Sequence, residues 1–243
     1  MALSDFYRTT VGKKVVMALS GAILVGFVFA HMAGNLKFFS GINPATGSYK
    51  FDEYGCFLRQ FGSEIFGYSG FLWLARIVLL LALVAHAISG ISLARLNRLA
   101  KPVVSQGARY SSANAASRSM IYGGLFLLLF IIYHILHLTT GTLHFRGFVE
   151  GSVYANVYNG FLSFPVAFFY IFSMICLALH LYHGAWSMFQ TVGLTSSLWD
   201  SRLKLYARIF AYVIFLGFCS LPIGVWVGAV AKPNADVKVV ICQ

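Results

Sequence analysis

Five apolar stretches, each long enough to cross a lipid bilayer, constrain this chain more than any other feature. A transmembrane helix needs about 20 predominantly apolar residues, and no charged residue lies between Lys14 and Lys37. No barrel-like alternation is visible, so we predict an all-α integral membrane bundle, one domain over residues 1–243. The predicted transmembrane helices lie at about residues 15–39, 71–96, 119–145, 161–190 and 205–231.

Proline and the absence of charge set two of these boundaries. The stretch from Gly151 to Trp199 has no charged residue, but Pro165 suits a first helical turn, where its missing N–H costs nothing. The fourth helix is therefore predicted to begin near Phe161. Pro222 predicts a kink in the fifth helix.

Composition places the chain in lipid rather than in water. Only 10% of residues are charged and the mean hydropathy is +0.77, whereas soluble domains carry about a quarter charged residues. The net charge of +11 comes from basic residues between apolar stretches, without a recognition motif, so no nucleic acid is expected as a partner. The first apolar run is too long for a signal peptide and lacks a cleavage site, so we expect the first helix to be retained.

The four cysteines give no spacing motif. They form no C-x-x-C pair, so neither a disulfide framework nor a zinc ribbon is predicted. They are Cys56, Cys176, Cys219 and Cys242.

The distribution of Lys and Arg predicts the orientation. With a cytoplasmic N-terminus, the inner side has a net charge of +9 and the outer side +2, as the positive-inside rule requires. The expected location is the bacterial cytoplasmic membrane, as a multi-pass protein in contact with the bilayer. The basic residues assigned to the inner side are Arg8, Lys13, Lys14, Arg95, Arg98, Lys101, Arg109, Arg118, Arg202, Lys204 and Arg208.

A short helix on the outer surface is predicted near residues 51–66. Apolar residues recur there at helical spacing with charged residues between them, a pattern typical of an interfacial amphipathic helix. It is interpreted as a packed lid over the bundle or, alternatively, as a wall of a quinone pocket with Glu64 as proton acceptor. The recurring apolar residues are Phe51, Tyr54, Leu58, Phe61 and Ile65.

Histidines are the chemically informative residues. Ionisable side chains inside transmembrane helices are rare and usually functional, although a single histidine there is often only an interhelical hydrogen-bond partner. Six of the seven lie well inside predicted spans, and His144 lies at the outer end of its helix, where an interfacial role is expected. The seven are His31, His86, His134, His137, His144, His180 and His183.

Four of these histidines fall into two layers by depth. At 1.5 Å per residue, His31 and His134 lie about 25 and about 23 Å from the inner helix ends. His86 and His180 lie about 15 and about 14 Å from those ends, by the same rise. The layers are thus roughly 10 Å apart, and each draws on two helices.

Paired histidines at equal depth fit the ligation of haem iron by two imidazoles, because neutral imidazole binds iron without burying a charge. Gly90 and Gly184 each follow a histidine by one turn and would leave space for a macrocycle. Zinc is less favoured, since no carboxylate or cysteine joins either layer.

Two neighbouring histidines remain as alternatives. His183 lies about 9 Å from the inner end and matches His86 less well than His180 does. Depth does not decide between His134 and His137.

Several motifs together resemble a known family. They are Val11-Gly-Lys-Lys14 with Met17-Ala-Leu-Ser-Gly21, His31-Met-Ala-Gly-Asn-Leu36, Tyr133-His-Ile-Leu-His-Leu-Thr139 and His180-Leu-Tyr-His-Gly-Ala-Trp186, closing at Gly193. In this order they resemble the single-chain di-haem cytochrome b anchor of bacterial succinate dehydrogenases and fumarate reductases, over almost the whole chain.

The resemblance implies a respiratory complex of the tricarboxylic acid cycle. It pairs His31 with His134 for the outer haem b and His86 with His180 for the inner one. A flavoprotein with covalent FAD and an iron–sulfur subunit would be the partners, and menaquinone would be the expected quinone. No succinate chemistry is expected in this chain itself. The reaction direction and a dimer or trimer of the complex stay open.

The quinone site is the least defined prediction. Polar candidates near a haem edge are Glu64 and His137 on the outer side, and His183, Ser89 and Arg95 towards the inner side.

Two alternative functions stay open. One is a cytochrome b subunit of another quinone-linked oxidoreductase, such as a hydrogenase or formate dehydrogenase. The other is a transporter with a histidine proton relay, although neither intramembrane carboxylates nor inverted repeats are visible.

Overall fold

The described part of the chain is helical. The structure, a computed structural model, describes residues 3–99, 112–191, 193, 196, 199–234, 237–238, 240 and 242. Within these residues the only β-type pairing is an isolated bridge between Ile42 and Tyr49. The helices are α1 (Leu3–Arg8), α2 (Thr10–Asn35), α3 (Lys50–Gln60), α4 (Ser63–Phe66), α5 (Gly70–Leu99), α6 (Ser112–His134), α7 (Val153–Phe161), α8 (Phe164–Thr191) and α9 (Asp200–Trp226).

Five of these segments are long and apolar enough to cross a membrane. The first continues from α2 through a 3-10 turn at Leu36–Ser40, and the third continues from α6 through a π-helical segment at Ile135–Thr139. The prediction of an all-α chain with five candidate transmembrane helices is therefore confirmed. The five segments are Thr10–Ser40, Gly70–Leu99, Met120–Thr139, Phe164–Thr191 and Asp200–Trp226.

Several predicted boundaries were wrong, because turns interrupt apolar sequence. The third segment ends at Thr139 rather than at residue 145, and Gly141 then adopts a left-handed φ of 73°. The charge-free stretch before α8 forms α7, a separate helix in a region that was predicted to lie outside the fourth span and was given no helix. The fifth segment ends at Trp226 rather than at residue 231, shortly before Gly228 with a φ of 71°.

The predicted helix near residues 51–66 is two helices. Gly62 takes a left-handed φ of 71° and separates α3 from α4. Phe51, Asp52 and Cys56 are the buried residues of α3, so an acid occupies the inward face that was predicted to be apolar. Ile65, predicted on that face, is 81% exposed.

The contacts divide the chain into two compact units. The first unit comprises Met1–Phe27, Val78–Leu127 and Cys176–Tyr212. Tyr7 and Ser89 share a hydrogen bond of 3.3 Å there, and the Trp186 indole N–H donates to Asp200 at 2.7 Å. Of the basic residues assigned to the inner side, Lys101 and Arg109 lie outside the described residues.

The second unit comprises Val28–Ile77, Leu128–Ile175 and Val213–Gln243. An aromatic cluster forms part of its core: the rings of Tyr49 and Tyr154 stack at 3.8 Å, and Phe38 lies 4.9 Å from Tyr154. The Tyr154 hydroxyl donates to the carbonyl of Ala231 at 2.6 Å. This core therefore links α3, α7 and the segment that follows α9.

A disulfide joins Cys56 of α3 to Cys242, with the Cα atoms 5.3 Å apart. The prediction from cysteine spacing was wrong at this point. The two residues are separated by 186 positions, and only tertiary structure brings such distant cysteines together. Cys176 and Cys219 are free.

A buried carboxylate connects α3 to the start of α7. Asp52 is 3% exposed and accepts hydrogen bonds from the Tyr154 backbone N–H at 2.7 Å and the Ser152 hydroxyl at 2.8 Å. Burial raises the pKa of Asp52, and the hydrogen bonds from Tyr154 and Ser152 oppose that shift only in part.

We expect Asp52→Ala to lower stability by about 1–3 kcal/mol for each buried donor left without its acceptor. Because the pKa of Asp52 is raised in the folded state, stability should fall as pH rises through that pKa. Asp52→Asn should keep most of the stability and lose this pH dependence. Thermal unfolding in detergent across the acidic range measures both effects, and equal pH dependence of wild type and Asp52→Asn would contradict the assignment.

Candidate functional site

The first histidine pair lies in the second unit. His31 of α2 and His134, the last residue of α6, have ring centroids 5.9 Å apart and an interplanar angle of 82°. The Phe218 ring lies 5.8 Å from His31, and the Phe130 ring lies 5.8 Å from His134. The two imidazoles thus face each other within an aromatic surround.

The second histidine pair lies in the first unit. His86 of α5 and His180 of α8 have ring centroids 6.0 Å apart and an interplanar angle of 65°. Gly21 lies against His86, and a Cβ there would be 3.2 Å from the ring. Gly124 lies against His180 in the same way, at 3.5 Å. Residues without a side chain therefore give these rings their space.

Hydrogen-bond partners lie at Nδ1 in two of these four histidines. The carbonyl of Met17 can only accept, so Nδ1–H of His86 donates to it, at 3.1 Å. Nε2 of His86 then carries the lone pair that a metal ligand needs. Nδ1 of His134 contacts the Tyr170 hydroxyl at 3.3 Å, which likewise occupies Nδ1. Nδ1 of His180 is buried without a hydrogen-bond partner.

The spacing of both pairs fits one metal ion between two imidazoles. Imidazole nitrogen binds a metal at about 2.0–2.1 Å, so two rings on opposite sides of one ion have centroids roughly 6 Å apart. Rotation about the shared axis permits any interplanar angle. Haem supplies its own macrocyclic nitrogens, so two protein ligands suffice, and the described residues hold no group of three or more His, Cys, Asp or Glu side chains suited to a metal.

Two glycines one turn after the histidines of the second pair have no close neighbours. Gly90 and Gly184 are partly buried, yet a Cβ built on either would meet no atom within 4 Å. Each follows a histidine of the pair by one helical turn. These two uncrowded positions and the ring spacing are compatible with a haem between the histidines.

His137 differs from the paired histidines in its surroundings. Its ring is 1% exposed, it stacks on Tyr133 and on His144, and its Nδ1 contacts the Tyr170 hydroxyl at 2.9 Å. A Cβ on Gly160 would lie 3.0 Å from its Nε2. The structure brings His134, and not His137, to His31.

His144 is buried in a turn beyond the π-helical segment rather than at an exposed interfacial position. Its Nε2–H donates to the carbonyl of Asn156 at 2.9 Å. The helix predicted to carry His144 ends at Thr139, and the interfacial location of this residue stays a prediction.

The other candidate residues are dispersed. His183 contacts the Tyr182 ring at a centroid distance of 5.0 Å. Ser89 is fully buried and bonded to a tyrosine hydroxyl, whereas Glu64 on α4 and Arg95 on α5 are exposed. Among the described contacts, none brings Ser89, Glu64 or Arg95 to a histidine.

Several residues around the pairs were not identified from sequence. Met17 and Gly21 belong to one of the quoted motifs, and both contact His86. Their spacing of four residues places them on one helix face, and this could have identified them from the sequence. Tyr170 and Gly124 carried no such signal, because their roles depend on which helices are neighbours.

Comparison of the chain with protein-family models, with curated proteins and with solved structures finds no significant match. The functional argument therefore depends on the residues and their geometry.

We expect Gly21→Val to displace the His86 ring, because even a Cβ at this position lies 3.2 Å from it. If the pair holds haem, the variant should lose up to one haem per chain, measured as the pyridine haemochrome. The matched control is Gly26→Val on the same helix, at an exposed position where a Cβ meets nothing within 4 Å. Equal haem content in the two variants would contradict the assigned packing.

Proposed function

We propose that this chain is the membrane anchor and electron-transfer subunit of a succinate:quinone oxidoreductase and binds two b haems. The observation that carries the proposal is the pair of histidine couples, each within one unit, with ring centroids 5.9 and 6.0 Å apart. His31 and His134 would hold one haem, and His86 and His180 the other. The family resemblance of the surrounding motifs supplies the identity of the complex.

The chain's own groups suit this task. Nε2 of each histidine would bind iron, while the Met17 carbonyl and the Tyr170 hydroxyl occupy Nδ1 of His86 and His134. Such partners fix ring orientation and tautomer. Bound haem would supply reversible one-electron transfer. The rings of Phe218 and Phe130 lie against His31 and His134.

The proposed partners are the subunits that carry out the other reactions of such a complex. A flavoprotein with FAD would oxidise succinate, or reduce fumarate, and an iron–sulfur subunit would exchange electrons with this chain. Quinone, proposed to be menaquinone, would take or give them within the lipid bilayer of a bacterial cytoplasmic membrane. A quinone must reach its site from lipid, so exposed Glu64 and Arg95 are more accessible candidates than buried Ser89 and His137.

We further propose that the N-terminus is cytoplasmic and that α3 lies at the outer surface. The loop after the first span and the segment after the fifth span must lie on one side of the membrane. They carry Cys56 and Cys242, which form a disulfide, and disulfides persist in oxidising compartments. The excess of Lys and Arg on the other side supports the same orientation. Exposed Phe57 and Phe61 suit an interfacial helix.

A dithionite-reduced minus oxidised spectrum of the purified protein tests the haem proposal. We expect two b haems per chain by pyridine haemochrome, and one in each of His31→Ala and His86→Ala, because each substitution removes one ligand pair. His183→Gln is the matched control and should retain both haems.

A well-folded wild-type preparation without haem would overturn this proposal and favour the transporter. Co-purified subunits distinguish the complex. A flavoprotein with an iron–sulfur subunit supports the proposal, whereas a hydrogenase or formate dehydrogenase subunit identifies another quinone-linked oxidoreductase.

The disulfide tests the orientation in intact cells. We expect a membrane-impermeant maleimide to label Cys56 and Cys242 only after an impermeant reductant has opened the disulfide from outside. Non-reducing peptide mapping should recover the two cysteines in one linked peptide. The matched control is a Cys56→Ser/Cys242→Ser variant, which keeps free Cys176 and Cys219 within membrane helices and should remain unlabelled. Labelling that requires cell lysis would place α3 in the cytoplasm.

A further inference from the structure

Tyr170 of α8 lies between two histidines of the second unit. Its hydroxyl oxygen is 3.3 Å from Nδ1 of His134 and 2.9 Å from Nδ1 of His137. Tyr170 is 6% exposed, and its ring meets Phe130 and Phe161 edge to face at 5.1 and 5.0 Å. The packing of the ring therefore holds the hydroxyl in place.

The Tyr170 hydroxyl can serve the two imidazoles in different ways. A tyrosine hydroxyl has one proton to donate, and its oxygen can also accept. The buried O–H finds an acceptor among these contacts only when one Nδ1 accepts from it and the other donates to its oxygen. In this arrangement the two histidines have opposite protonation at Nδ1.

The ligand role of His134 sets the direction of this chain of hydrogen bonds. A neutral imidazole that binds iron through Nε2 carries its proton on Nδ1, so His134 donates to the Tyr170 oxygen. The Tyr170 O–H then donates to Nδ1 of His137 at the shorter distance. His137 in turn carries its proton on Nε2, and its ring is held by stacking on Tyr133 and His144 at 5.4 and 4.9 Å.

We propose that Tyr170 is a positioning residue that tunes the redox potential of the haem held by His31 and His134, with His137 as its hydrogen-bond acceptor. The inference rests on the proposed function. An acceptor at Nδ1–H fixes the imidazole plane and raises the basicity of the coordinating nitrogen, which favours ferric over ferrous iron. His137 strengthens the Tyr170 oxygen as an acceptor by taking the hydroxyl proton, since linked hydrogen bonds polarise one another.

The other pair provides an internal reference. His86 donates to the backbone carbonyl of Met17, an acceptor that a side-chain substitution does not remove. The group at Nδ1 of His134 is a side-chain hydroxyl that mutation can remove, whereas the group at Nδ1 of His86 belongs to the backbone. A substitution at Tyr170 should change one haem and leave the other as a reference in the same sample.

The experiment is a redox titration of wild type and Tyr170→Phe, followed by absorbance. We expect one of the two midpoint potentials to rise, by about tenfold in the ferric/ferrous equilibrium or ~59 mV for one electron. The ferric EPR signal of that haem should shift with it. Tyr133→Phe is the matched control, because it removes a neighbouring hydroxyl and leaves both Tyr170 contacts; both of its potentials should equal those of wild type.

Unchanged potentials in Tyr170→Phe, with both haems present, would overturn this inference and leave the haem proposal intact. Absence of haem in folded wild type would instead overturn the proposed function. If Tyr170→Phe does not fold, His137→Phe carries the test, because it keeps the stacked ring and removes only the acceptor for the Tyr170 proton. A smaller rise in the same potential supports the proposal, and no change overturns it.

Discussion

A polar group inside a hydrocarbon layer must find a partner within the protein, and the arrangement of this chain follows from that constraint. Helices satisfy their own backbone, so the imidazoles within the candidate spans are polar groups that need partners from other segments. His86 takes a backbone carbonyl and His134 takes a tyrosine hydroxyl. In both cases Nδ1 is the nitrogen in contact with a partner from another segment. These contacts are compatible with the proposed metal ligation through Nε2.

Close helix contact depends on residues that leave room. Gly21 and Gly124 lie against the rings of His86 and His180, and Gly160 lies against His137. Hydrophobic attraction between helices is weak in lipid, so packing by small residues and interhelical hydrogen bonds stabilise such contacts. The same glycines therefore support both the helix packing and the ring spacing. Outside the spans, Asp52 and the disulfide of Cys56 connect α3 to distant parts of the chain.

Much of the fold could be predicted from local sequence. Hydropathy located five segments, because a run of apolar residues signals lipid exposure whatever its neighbours. Helix ends were less predictable, since apolar sequence continues through turns: Gly141 and Gly228 end their segments by backbone conformation. The depth argument paired His31 with His134 and His86 with His180, and the structure brings both pairs together. Their ligand role stays a prediction.

The sequence by itself determined the all-helical class, the number of candidate spans and the position of each histidine along its helix, because these depend on composition and on a constant rise per residue. Tertiary structure decided which groups contact Nδ1 of His86 and His134, that His137 contacts Tyr170 and His144, and that Cys56 meets Cys242. These features depend on the rotation of each helix about its axis and on contacts between residues far apart in the chain. Neither leaves a local pattern in the sequence.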